Sequence, residues 1–181
     1  VIVLYNQRGF QPESPEAYHA ARAQFELVDF KYREYKSIML KGNVDQMVRQ
    51  IQKAQTFLKK LENDYGQVAV VYRSVDWNFA AFFRLGEINQ IFAQKLYDAP
   101  EPRGMNPDDL DIYRTQLEEE GARWEDKAVK KFEEMVRQAR SRKVTNFILR
   151  TTSSQPCRRR SQHRRPRSTT VAIQLIFRTV R

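Results

Sequence analysis

The chain has 181 residues, enough for one domain or a short array of repeats, with 41% hydrophobic and 30% charged residues. Its one cysteine and two histidines exclude an intrachain disulfide and argue against a zinc site with four Cys or His ligands. No stretch reaches the roughly 18 apolar residues that suggest a membrane-spanning helix, and no signal peptide is visible at the N-terminus.

The formal net charge of +10 is concentrated at the C-terminal end. Residues 1–134 contain 19 basic and 22 acidic residues, whereas residues 135–181 contain 13 basic residues and no acidic one. Any argument for a nucleic-acid partner therefore applies to the last quarter of the chain and not to its mildly acidic body.

Residues 1–13 are interpreted as a linker or as the end of a preceding element, and the first predicted helix follows them. Ser14 followed by Pro15 is a typical helix start, because serine caps free amide groups and proline fits the first helical position. Apolar residues then recur every three or four positions as far as Met39. This spacing predicts an amphipathic helix with one buried face.

A second helix of the same kind is predicted from Asn43, a favoured capping residue, and Gly66 is its expected end. The short connection requires the two helices to be antiparallel. Two helices cannot cover all of their apolar residues by themselves, so further helices should pack against the pair.

The third predicted helix begins near Asp76, the expected cap, and continues to Leu96. It is apolar on almost every side, which is typical of a helix buried in the middle of a stack. A last helix is predicted from Asn106 and Pro107. Gly121 lies on its apolar seam, so this segment is either one helix with a close contact at the glycine or two helices broken there.

The sequence contains no arrangement of residues that is typical of an active site. His19, Cys157 and His163 lie far apart or lack a neighbouring base or carboxylate, and no glycine-rich phosphate loop is present. We therefore expect a protein that is not an enzyme and that uses no catalytic residue, cofactor or metal.

Residues 82–89 have the pattern of the first helix of a tetratricopeptide repeat, in which a Leu-Gly pair stands between large residues. Ala128, Phe132 and Met135 have the spacing of the second helix of that repeat. Further segments with a matching sequence are 23–27, 58–65, 77–88, 92–100, 113–118 and 125–129.

On these segments, residues 14–144 resemble tetratricopeptide-repeat proteins of deltaproteobacteria, the group that includes the adventurous-gliding-motility proteins of myxobacteria. The resemblance implies an all-α domain of antiparallel helix pairs stacked as a solenoid. It also implies a non-catalytic scaffold that binds other proteins or peptides and assembles envelope or gliding-motility complexes, in the periplasm or at the outer membrane. The sequence departs from this resemblance completely from Phe147 onwards.

Placing Leu85 and Gly86 on the repeat pattern predicts which residues line the groove in which such repeats bind their partners. Phe82 and Leu85 are expected in the core. The residues expected on the exposed groove face are Phe83, Arg84, Glu87 and Gln90.

Residues 145–181 are rich in arginine and lack acidic residues, so this tail is expected to be disordered. The tail supports an alternative function, nucleic-acid binding, although it has no aromatic residue between Phe147 and Phe177 for stacking on bases. A further alternative is that residues 147–181 are translated in the wrong reading frame. The arginines that would contact phosphates are Arg158, Arg159, Arg160, Arg164, Arg165 and Arg167.

Overall fold

The computed structural model describes residues 1–102 and 105–141, and within these ranges the chain forms five helices and no strand. The helices are α1 (Ile2–Arg8), α2 (Pro15–Ser37), α3 (Val44–Tyr72), α4 (Val75–Tyr97) and α5 (Pro107–Ser141). The predicted all-α fold is therefore confirmed for this part of the chain.

In the same ranges, no helix is both long enough and apolar enough to cross a membrane. The arginine-rich tail, with the six arginines assigned to nucleic acid, lies outside the described residues.

Three helices begin at the capping residues that the sequence predicts; at the start of α5, the Asn106 side chain accepts a hydrogen bond from the amide of Asp109 at 2.8 Å. The Ser14 hydroxyl accepts a hydrogen bond from the amide of Ala17 at 3.1 Å. The Asn43 side chain accepts one from the amide of Gln46 at 3.0 Å, and the Gln46 side chain accepts one from the amide of Asn43 at 3.1 Å. These bonds satisfy amide groups that have no partner inside the helix, and they fix where α2, α3 and α5 start.

Two predicted helix boundaries are wrong. Gly66 does not end the second helix, because α3 continues to Tyr72 and buries Val68 and Tyr72 on the same face. A glycine inside a helix costs only about 1 kcal/mol, which is less than the burial of two large side chains provides. The cap of α4 is Ser74 and not Asp76, which lies in the first turn of the helix.

The buried face of α2 differs from the predicted apolar pattern at both ends, and at its start Ala17 and Ala20 are buried in place of Tyr18. Side chains from Ala21 to Tyr35 are buried at the predicted spacing, but Tyr18 and Met39, at the two ends of the pattern, are exposed. The helix ends at Ser37, and the chain reverses direction through Gly42, whose φ of 110° suits a residue without a β-carbon.

The first two long helices are antiparallel. Phe25, in the first half of α2, packs against Tyr65 near the end of α3, with the ring centroids 5.4 Å apart. Tyr35, near the end of α2, stacks on Phe57, which comes earlier in α3. The antiparallel pair predicted from the short connection is therefore confirmed.

In contrast, α2 and α4 are parallel. Early in both helices Phe25 packs against Trp77, at a centroid distance of 5.2 Å, and later in both the Tyr35 hydroxyl donates to the carbonyl of Ile88 at 2.9 Å. α3 connects them and contacts both, so the direction alternates from α2 to α3 to α4.

α4 is the central helix of the described part and contacts α2, α3 and α5. Phe79 and Ile88 are buried on opposite sides of it. The prediction that the third helix is buried among its neighbours is therefore confirmed for the described residues.

α5 is one continuous helix that packs antiparallel to α4 through two glycines. A β-carbon on Gly121 of α5 would collide with the ring of Tyr97, and one on Gly86 of α4 would collide with the ring of Phe132. Of the two alternatives for Gly121, the structure has the unbroken helix with a close contact.

Candidate protein-binding face

One side of α4 lies between α2 and α5 and is only partly covered. Residues on this side recur at spacings of four, three, four and three, which places them along one line of the helix. We call this line the α4 stripe, and it consists of Phe83, Glu87, Gln90, Gln94 and Tyr97.

α5 borders the α4 stripe at both of its ends. The ring of Phe83 lies 5.7 Å from the ring of Phe132, measured between centroids. At the other end, the Tyr97 hydroxyl lies 3.2 Å from a carboxylate oxygen of Glu125. Gln94, between these ends, is exposed.

The border with α2 is an ion-pair network centred on Arg84. Its Nε donates to Asp29 Oδ1 at 2.9 Å and its Nη2 to Asp29 Oδ2 at 3.2 Å, while Nη1 pairs with Glu87. The guanidinium also lies 4.6 Å from the centroid of the Tyr32 ring. Burial opposes the charge of Arg84, but the hydrogen bonds and charges of Asp29 and Glu87 outweigh it and raise the pKa of the arginine.

These contacts reduce the exposure of two of the predicted groove residues. The side chains of Arg84 and Glu87 are only 21% and 15% exposed, so the free exposure expected of them is wrong. Phe83 and Gln90 are half-buried on the α4 stripe, and the role of all four in binding stays a prediction. The core position predicted for Leu85 is confirmed at 5% exposure. Phe82, predicted to be in the core as well, is only half-buried.

Two buried tyrosines, Tyr65 of α3 and Tyr32 of α2, contact this network, and Tyr35 is buried on the same face of α2 as Tyr32. The Tyr65 hydroxyl donates to Asp29 Oδ1 at 2.8 Å, and burial together with this bond raises the pKa of Tyr65. Burial also raises the pKa of Tyr35. Burial and the nearby carboxylate of Glu87 raise the pKa of Tyr32 as well.

The C-terminal end of the α4 stripe is acidic. Between residues 107 and 126 the chain has eight acidic residues and two basic ones. Burial and the charges of Glu125, Asp126 and Glu118 raise the pKa of Tyr97 to about 12. The residue is nevertheless 40% exposed. The surface there combines an aromatic ring with an excess of carboxylates.

Gln94 and Tyr97 were not among the predicted site residues. Continuing the four-and-three spacing from Phe83 would have reached Gln94 inside the predicted helix and Tyr97 one residue beyond its predicted end. Asp29 carried no such signal, because its partner Arg84 is 55 positions away in the sequence.

The site offers hydrogen bonds, ion pairs and aromatic surface. Within residues 1–102 and 105–141, no group of three His, Cys, Asp or Glu side chains could hold a metal ion. His19 is exposed on α2, and both Cys157 and His163 lie outside the described residues.

These features define a class of site, a partly open helix face bordered by two neighbouring helices. The chain matches no protein-family model, and comparisons with curated proteins and with solved structures find no significant match.

Proposed function

We propose that this chain is a non-catalytic scaffold that binds segments of other proteins along the α4 stripe. The observation that carries the proposal is the stripe itself, which has an aromatic residue at each end, Phe83 and Tyr97, and three polar side chains between them. The stripe lies on a helix that packs against three neighbouring helices. Partly exposed aromatic residues are enriched in protein interfaces, where they provide contact area with few rotatable bonds. A helix held on three sides also loses little conformational freedom when a partner binds.

The proposal includes a stacked arrangement of helix pairs like that of a tetratricopeptide-repeat solenoid. The parallel directions of α2 and α4, with α3 and α5 as their antiparallel partners, support it. The helices are longer than the repeat requires, since α2 and α3 have 23 and 29 residues and one tetratricopeptide repeat has about 34 in total. A role in assembling envelope or gliding-motility complexes rests on the sequence resemblance and is part of the proposal.

The described residues give no support to the nucleic-acid alternative. The acidic excess between residues 107 and 126 would repel phosphate groups from the C-terminal end of the α4 stripe. Nucleic-acid binding through Arg158, Arg159, Arg160, Arg164, Arg165 and Arg167 stays a prediction about the tail.

Site-specific crosslinking tests the proposed function. A photo-crosslinking amino acid is placed at Gln94, which is exposed on the α4 stripe, or at Gln52, which is exposed on α3 and serves as the matched control. In cells that naturally make the protein, we expect one partner protein to be crosslinked from position 94 and not from position 52, as identified by mass spectrometry. Equal crosslinking from both positions, or none from position 94, would contradict the proposal.

A further inference from the structure

We infer that the arginine-rich segment 158–167 of this chain binds along the α4 stripe and competes there with the partner protein. The inference rests on the function proposed above and adds a regulator of the same site. Residues 1–134 have an excess of acidic residues, and residues 145–181 have nine arginines and no acidic residue, so the complementary charge is supplied by the same chain.

The first contact point is Glu87. Arg84 is shared between the carboxylates of Asp29 and Glu87, which leaves this group with an excess negative charge. Tyr32, whose hydroxyl lies beside Glu87, is 3% exposed. Lys36 lies over the Tyr32 ring at 5.3 Å and forms no ion pair with Glu87. An arriving guanidinium, with five N–H donors, therefore finds an accepting carboxylate at this point.

The second contact point is Tyr97, whose ring is 40% exposed and whose hydroxyl bonds to Glu125. The two arginines between residues 107 and 126 are already paired, Arg114 with Glu101 and Asp111, and Arg123 with Glu120. Among the described residues, neither of these arginines pairs with Glu118, Glu125 or Asp126, the carboxylates around Tyr97. The ring of Tyr97 offers a face on which a guanidinium can stack.

The spacing of the two contact points matches the spacing of the arginines. Glu87 and Tyr97 are ten residues apart on one helix, a distance of about 15 Å. Arg159 and Arg165, at the centres of the two arginine groups, are six residues apart and span at most about 20 Å when extended. A nearly extended segment can therefore place one arginine group at each point.

The segment is also long enough to reach the α4 stripe. The last described residue of α5 is Ser141, nine residues after Phe132, which packs beside Phe83 at the start of the stripe. Nine helical residues cover about 14 Å, whereas the 16 residues between Ser141 and Arg158 can span about 50 Å. A tether of this length gives an effective concentration in the millimolar range, so contacts that are weak individually are enough.

The only cysteine of the chain, Cys157, stands directly before Arg158 and allows a direct test on the full chain. A nitroxide spin label on Cys157 broadens the NMR signals of nearby backbone amides. We expect broadening at residues 87–97 and 118–126 at low salt and none on the exposed face of α3. The broadening should disappear at high salt and in a variant in which all six arginines of 158–167 are replaced by glutamine.

A matched pair of variants tests the surface without changing the tail. The double variant Glu118→Gln, Glu125→Gln should reduce the broadening at Tyr97, and Glu119→Gln, Glu133→Gln, which removes the same charge, should not. Broadening that is absent, uniform over the surface or equal in the two double variants overturns the inference.

A mixed sample separates binding within one molecule from binding between two copies. In it, one chain carries the spin label and no isotope label, and the other carries the isotope label and no spin label. Broadening of equal size in the mixed sample would show docking between copies and would overturn the inference as stated. If broadening fails while position 94 still crosslinks a partner, the inference is wrong and the proposed function stands. If the crosslink fails, the proposed function is wrong whatever the tail does.

Discussion

Arg84 of α4 and Asp29 of α2 form a two-bond ion pair across two parallel helices, with N–O distances of 2.9 and 3.2 Å. Tyr65 of α3 donates to the same carboxylate at 2.8 Å. The carboxylate of Asp29 therefore connects three helices next to the α4 stripe. Removing this ion pair should affect the stability of the fold more than the binding of a partner.

We expect Arg84→Met to lower the free energy of unfolding by about 2–4 kcal/mol, because it leaves the carboxylate of Asp29 partly buried without its cation. Adding Asp29→Asn should recover part of the loss, since the unpaired charge is then removed. Arg22→Ala breaks an exposed pair with Glu26 and should have little effect. Urea denaturation followed by circular dichroism measures all four proteins, and equal losses for Arg84→Met and Arg22→Ala would contradict this role of Arg84.

The apolar core gives a second prediction. Leu58→Ala and Phe25→Ala should each cost about 2–5 kcal/mol, because both side chains are buried between helices and their truncation leaves a cavity. Leu27→Ala, at a side chain that is 58% exposed on α2, is the control and should cost much less. A similar loss at Leu27, in the same denaturation experiment, would mean that the face of α2 assigned to the core is wrong.

The two glycines at the α4–α5 contact should respond differently to the same change. Gly86→Ala should destabilise by about 1–3 kcal/mol, because the new methyl group meets the buried ring of Phe132. Gly121→Ala meets the ring of Tyr97, which is 40% exposed and can move aside, while alanine also favours the helix by about 1 kcal/mol. Melting temperatures should therefore fall clearly only for Gly86→Ala; a larger fall for Gly121→Ala would contradict the packing.

Stability should fall at alkaline pH. The pKa of Tyr97 is raised to about 12, and burial also raises the pKa values of Tyr35 and Tyr65 above the ordinary value of about 10. Because the folded pKa is the higher one, the neutral hydroxyls stabilise the fold fully below about pH 10, and this contribution is lost as the pH rises further. Thermal melts should show a falling melting temperature above about pH 10, with a shallower fall for Tyr35→Phe. A melting temperature that stays constant up to about pH 12 would contradict the burial of these hydroxyls.

Local sequence patterns predicted most of the helical architecture. Ser14 and Asn43 could be recognised as caps because the hydrogen bonds that they make lie within four residues of chain. The central position of α4 followed from its apolar residues on every side. Gly66 was misread as a helix end, because a local stop signal is weaker than the burial of Val68 and Tyr72 six or fewer residues later.

The polar part of the site was harder to predict for a physical reason. Within single helices, Asp29 and Arg84 look like solvated charges, and nothing near either one indicates that it has a partner in another helix. Their pairing depends on the stacking of α2 on α4, which joins residues 55 positions apart. Long-range pairs of this kind follow from the packing and not from the spacing.

The central claim is that the α4 stripe binds a protein partner, and its most direct test is the affinity of the protein crosslinked from position 94. Isothermal titration calorimetry compares Gln94→Arg on the α4 stripe with Gln52→Arg on the exposed face of α3, two variants with the same change of charge and size. We predict that Gln94→Arg weakens binding at least about tenfold, or about 1.4 kcal/mol, while Gln52→Arg has the affinity of the native chain and both keep its melting temperature. Equal affinities of the two variants would contradict the account.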